Sequence, residues 1–189
     1  MDMEFPSRVN VRVSLFDQEA LCARWPGFES LGGRAQLART RLAEPLSVAE
    51  THNTTTIPMH ERIAGIMNRN ESYDPIEYQI NGFAVGSDDT EPGRFDRQLY
   101  DERWRTDLTA IDRTGATLFL TTTLDASEAN GAWIEECGLY ANAESSDRVL
   151  VNRTLIPNPF EKTSRLRANF DIELTVGNLT EVDEEESDG

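Results

Sequence analysis

The stretch Thr121–Val176, TTTLDASEANGAWIEECGLYANAESSDRVLVNRTLIPNPFEKTSRLRANFDIELTV, decides the fold class. Three runs of alternating polarity are separated by breaks rich in turn formers. A period of two puts successive side chains on opposite faces of a sheet. In the last run Leu166, Ala168, Phe170, Ile172, Leu174 and Val176 form an apolar face. Arg165, Arg167, Asn169, Asp171, Glu173 and Thr175 form the other. Trp133 belongs to the alternating run before it and is expected in the core.

Upstream, Val9, Val11, Val13 and Leu15 alternate with polar residues and predict a strand over 8–16, ended by a turn at Asp17-Gln18-Glu19. Turns are expected at Trp25-Pro26-Gly27 and Gly32-Gly33. RAQLARTRLAEP suits an exposed strand better than a short helix, and residues 51–56 read as a polar loop. Thr56 before Ile57-Pro58 looks like a helix N-cap with proline in the first turn. Met59, Ile63, Ile66 and Met67 then carry helical spacing to about residue 69. Further strands are expected at 76–85, about 97–108, 114–124, 132–140, 148–156 and 164–176, with a hairpin turn at Asp112-Arg113-Thr114-Gly115. The expected fold is mainly β, an antiparallel β-sandwich with one short covering helix at about residues 57–69. The domain reading is an arm or attachment region over 1–50, the sandwich over 51–178 and an acidic disordered tail over 179–189.

The chain has 189 residues, enough for one real core. Its formal charge is −16 and its pI about 4.5, and 17 of its 18 basic residues are arginine, the exception being Lys162. Acid excess with almost no lysine resembles the composition of halophilic archaea, whose molar salt screens carboxylate repulsion to within about 3 Å. Such a surface argues against nucleic-acid binding, which needs a cationic footprint. It argues equally against anionic membranes. No run approaches the ~20 apolar residues of a membrane-spanning helix. The acidic N-terminus is unlike a secretory signal, so synthesis in the cytoplasm is expected. Cys22 and Cys137 have neither disulfide nor metal-site spacing, and Cys137 is expected as a small core residue.

Little of the sequence points to catalysis. With His52 and His60 the only histidines, His60-Glu61 starts like a zinc-protease motif but reaches Ala64 where the second histidine belongs. There is no nucleophile elbow and no phosphate loop. Carboxylate pairs such as Asp101-Glu102 and Glu135-Glu136 carry almost no information among 34 acids, so a glycosidase is not expected. No catalytic residue and no cofactor are assigned. Asp88, Asp89 and Glu91 offer oxygens at short spacing for a cation but lack the regular spacing of a calcium loop. Asn53, Asn70, Asn152 and Asn178 head Asn-x-Ser/Thr triplets. Trp104, between Arg103 and Arg105, has the composition of an interface.

The segments NGFAVGSDDTEPGRFDRQLYDER (81–103), SEANG (127–131), IEECGLY (134–140), LVNRTLIP (150–157) and EKT (161–163), with the alternating strand after them, resemble a family of small structural proteins of tailed viruses, the tail-fibre or baseplate-associated proteins. The family shows a VG.G...P...D..L..E..R segment, a strand near EANG, an E.GL(F/Y) strand and then L..R.....P..KT. The resemblance covers roughly residues 57–176 and implies a non-enzymatic virion component in the tail tip, baseplate or fibre attachment region. Its glutamate before Gly-Leu matches Glu136, and an inward glutamate there needs a partner such as Arg153. Expected partners are further copies of the chain, as a trimer or hexamer, and neighbouring tail proteins. Val9, Val11 and Val13, on a terminal strand able to augment a neighbour's sheet, are interface candidates together with Trp104. The competing reading is a receptor-binding or capsid-surface decoration protein touching host glycans through Tyr73, Trp25 and Phe28.

Overall fold

The computed structural model describes residues 8–61, 79–143 and 148–176. Among these the order is β1 (Arg8–Asp17), α1 (Gln18–Arg24), a 3-10 turn (Phe28–Ser30), α2 (Gly33–Thr40), β2 (Ser47–Thr54), β3 (Ile80–Gly86), β4 (Glu102–Asp107), β5 (Ala110–Thr114), β6 (Thr117–Leu124), β7 (Trp133–Ala141), β8 (Val149–Glu161) and β9 (Leu166–Thr175). A five-stranded sheet in the order β2-β1-β9-β6-β5 packs on a four-stranded sheet in the order β4-β3-β7-β8. Every ladder is antiparallel. The chain is a mainly β protein with the two sheets of a β-sandwich.

β9 is the middle strand of the larger sheet, and its alternation is the alternation of the sandwich. Ala168, Phe170, Ile172 and Leu174 enter the core with Val9, Val11 and Val13 of β1 and Leu120 and Leu124 of β6. They meet Phe83, Val85, Ile134, Cys137, Leu139 and Val151 from the other sheet. Phe83 and Phe170 bridge the two layers with ring centroids 4.7 Å apart.

The N-terminal region is therefore part of the fold rather than an arm. β1 is hydrogen-bonded to β2 on one side and β9 on the other, and Val9, Val11 and Val13 are almost fully buried. Their alternation carries core packing, which leaves none of the three for a partner's sheet. Trp133, expected inside, is about half exposed. Its neighbours Ala132 and Ile134 pack on the core, so Trp133 points to the outer face, and the bulge between Ile134 and Glu136 shifts which residues of β7 face inward after it.

Several elements differ from expectation for local reasons. The expected turn at Asp17 is a helix start: the Asp17 carboxylate accepts from the Ala20 N–H at 2.8 Å, and Glu19 sits in the positive first turn. The RAQLART segment is helix α2 rather than a strand, burying Gln36, Leu37 and Thr40 on one face. The helix at 57 is thus one of several. It starts where expected, with Met59 packed on the core, and is described as far as 61. Residues 51–54, expected as a loop, complete β2, a polar edge strand set by pairing with β1. β4 starts only at Glu102, because 97–101 fold over the outside of the sheet to bring Leu99 onto Tyr140 and Leu150. The β5–β6 turn falls at Gly115-Ala116, after Asp112 and Arg113 have paired with Phe119 and Leu118. β8 runs on past Pro157 and Pro159, which fall in the bulge between the Glu136–Leu155 and Ile134–Phe160 pairs, where no ladder bond is lost. The expected strand residues 76–78, the acidic tail and Tyr73 lie outside the described residues.

Candidate functional site: a buried arginine node

In the β7–β8 ladder Gly138 is the residue opposite Arg153. A Cβ on Gly138 would come within 2.8 Å of the Asn152 carbonyl oxygen and 3.0 Å of both Leu150 and Leu99. Glycine lets the outside of the sheet close over Arg153 here, and its guanidinium is wholly buried.

Three carboxylates meet that guanidinium. Its Nε donates to Glu136 Oε2 at 2.5 Å, its Nη2 to Asp88 Oδ1 at 2.9 Å and its Nη1 to Asp96 Oδ2 at 3.4 Å. The Tyr100 ring lies across it, 4.3 Å from centroid to Cζ. Each acid is held in turn. Glu136 Oε1 accepts from the Asp101 N–H at 3.0 Å. Asp96 accepts from the Gly93 N–H at 2.9 Å and from the Tyr100 hydroxyl at 2.8 Å. Asp88 accepts from the Thr90 N–H at 3.0 Å. Hydrogen bonding to Thr90, helped by Arg153, holds the Asp88 carboxyl below its usual range. The Tyr100 phenol is pushed up by its bond to the Asp96 carboxylate. Gly86 completes the arrangement, since a Cβ there would land on the Glu136 carboxylate and the Asp101 carbonyl. The whole connection between β3 and β4 is thereby tied to β7 and β8.

The Glu136–Arg153 pair expected from sequence is the centre of this node, and both side chains are 0% exposed. Asp88 belongs to the node, whereas Asp89 and Glu91 are exposed nearby. Among the described residues no group of three His, Cys, Asp or Glu side chains is placed to hold a metal ion. Sequence reading missed Asp96 and Tyr100, although the D..L..E..R spacing singled out their segment. Leu99 donates its N–H to the Tyr140 hydroxyl at 3.0 Å. Arg105 lies over the Tyr140 ring at 4.4 Å and pairs with Glu102 at 2.6 Å.

A second polar layer covers the outer face of the five-stranded sheet. Arg167 donates to Gln36 of α2 at 2.9 Å, pairs with Asp125 and lies over the Phe28 ring at 5.3 Å. Asn169 donates to Thr40 at 2.7 Å and accepts from Thr123 at 3.2 Å. Phe28 is buried and Trp25 packs tilted beside it at 6.5 Å, so this pair secures the α1–α2 segment instead of forming a sugar platform.

Trp104, on edge strand β4, is 38% exposed and Trp133 is 48% exposed. They flank a cleft of about 630 Å³ lined also by Ser87, Arg103 and Asn130. His60 has its Nε2 2.6 Å from Thr55 Oγ1, and burial lowers its pKa. Cys22 and Cys137 are unpaired thiols, and Cys137 is buried as expected. No described helix is long and apolar enough to cross a membrane. No family model, curated protein or solved structure matches the chain.

Proposed function

We propose that this chain is a non-enzymatic structural subunit of a tailed virus of a halophilic archaeon, placed in the tail tip, baseplate or fibre attachment region. One observation carries the reading. The residues of the viral signature, separated by up to 57 positions in sequence, bond to one another. Asp96, Glu136 and Arg153 form the node, Leu99 meets Tyr140 and Gly138, and Glu102 pairs with Arg105 over Tyr140. A signature made of mutual structural contacts suits a part whose work is to hold shape. Homo-oligomeric assembly around a symmetry axis is the mode of action this implies, with Trp104 as the interface residue.

Gold-labelled antibodies against the chain, applied to intact particles from an infected halophile culture, test this. Label at the distal tail is expected. Label on the head, or none on either intact or partly disassembled particles, overturns it. The Trp104–Trp133 cleft favours a second reading, a surface protein contacting host glycans. Label on the head combined with glycan binding that is lost in Trp133→Ala would select that reading.

A further inference from the structure

Lys162 is the only lysine in a chain that uses arginine for its other 17 basic side chains, and it is fully buried. Arginine serves wherever a fixed cation is wanted. Lysine differs in being able to lose its proton and act as a nucleophile. Its Nζ donates to the Thr163 carbonyl at 3.0 Å and lies 3.4 Å from Oδ1 of Asn130, in the loop between β6 and β7. The Asn130 Nδ2 donates to the Ala126 carbonyl at 2.8 Å, which fixes the end of the carboxamide that faces the amine. Backbone bonds clamp the pair from both sides: the Gly131 N–H donates to the Lys162 carbonyl at 2.8 Å and the Lys162 N–H to the Ala132 carbonyl at 2.9 Å. Burial pushes the amine down to about 8, against the pull of Glu128 and Asp125. Roughly a tenth of it is then neutral at pH 7.

The geometry points to a self-formed isopeptide crosslink between Lys162 Nζ and Asn130 Cγ. The neutral amine adds its lone pair to Cγ, and the carbonyl π electrons move to Oδ1. A proton passes from Nζ to Nδ2, with the neighbouring Glu128 carboxylate as carrier. The oxygen pair then re-forms the carbonyl, the Cγ–Nδ2 bond breaks and ammonia leaves. Nothing is oxidised or reduced and no co-reactant is consumed. Asn130-Gly131 has another route to ammonia loss, cyclisation onto the Gly131 nitrogen, but that nitrogen is held by the Lys162 carbonyl. The product ties the β6–β7 loop covalently to the corner between β8 and β9.

The test is the mass of the purified full chain in molar salt, with circular dichroism showing that it is folded. The wild type is expected lighter than its sequence by one ammonia, about 17 Da. Trypsin is expected to leave peptides 114–148 and 154–165 joined in one branched species. Lys162→Arg and Asn130→Ala are each expected at full mass, and Glu128→Gln is expected to convert more slowly. A folded wild type at full mass overturns the proposal. So does an ammonia loss that persists in Lys162→Arg, which would assign it to the asparagine-glycine route. These readouts do not depend on the virion assignment.

Discussion

Gly138 faces Arg153 across the β7–β8 ladder, and the missing side chain on one strand makes room for the charge on the other. The node is consequently a matter of backbone as much as of charge. Arg153→Met leaves Glu136 and Asp96 buried beside each other with no cation. Breaking a buried pair in this way costs about 3–5 kcal/mol. Gly138→Ala forces Leu99, Leu150 or the β8 backbone to move, at about 1–3 kcal/mol. Denaturant titration of both variants measures these losses. An Arg153→Met protein as stable as the parent would show that the node contributes nothing to the fold.

Val11 tests the place of the first strand in the core. It is 2% exposed and pairs within the sheet between β2 and β9. Val11→Asp buries an unpaired charge, an effect among the largest for single substitutions, about 4 kcal/mol or more. Loss of the β-sheet circular dichroism is expected. A folded monomer that only failed to assemble would restore the attachment-arm reading.

The parts of this fold legible in sequence are those where one physical term dominates. β9 alternates because burial on the core side outweighs every local preference, whereas the bulge in β7 breaks its alternation and leaves Trp133 outside. Glu136 is singled out by the resemblance, which matches it to the glutamate before Gly-Leu, and Arg153 follows because an inward charge needs a partner. The same logic failed for β2: Ser47–Thr54 has little apolar content, and only pairing with β1 makes it a strand. α2 failed because Arg-Ala-Gln-Leu-Ala-Arg-Thr fits either period over so few residues. What chose the helix is the row Arg167, Asn169 and Asp171 on β9, whose polar groups bond to Gln36, Thr40 and Arg41. That row also shows why an alternating strand did not imply a solvated outer face. Asp96 and Tyr100 sit in a loop without periodicity, so no pattern announced them.

Alkaline stability is governed in part by Cys137. Burial pushes its thiol up from 9.0 to about 12. The folded pKa is raised, so the contribution is complete below pH 9 and is lost as pH rises toward 12. At pH 10 the unfolded thiol is mostly ionised while the folded one is not, which removes about 1 kcal/mol. Cys137→Ala lowers stability at every pH through the small cavity it leaves, but it flattens this part of the profile. Urea midpoints at pH 8 and pH 10 for the two proteins give the comparison, and equal slopes would remove Cys137 as the cause.

The acid excess predicts a salt dependence that the interior does not share. A formal charge of −16 on 189 residues repels itself in the compact state. Exposed pairs such as Arg12–Glu50 and Arg165–Glu19 offset little of this. Within the node Arg153, Glu136 and Asp96 are buried, and buried pairs are screened far less than exposed charges, whose mutual repulsion 1 M salt confines to about 3 Å. Raising sodium chloride from about 0.1 M to above 1 M is therefore expected to raise the melting temperature of the wild type. The destabilisation caused by Arg153→Met is expected to stay the same at both salt levels. Calorimetry of both proteins across a salt series makes the measurement. If the Arg153→Met deficit shrank as salt rose, the node would be behaving as a solvent-screened surface pair, and its place as a rigid centre of the sandwich would be lost.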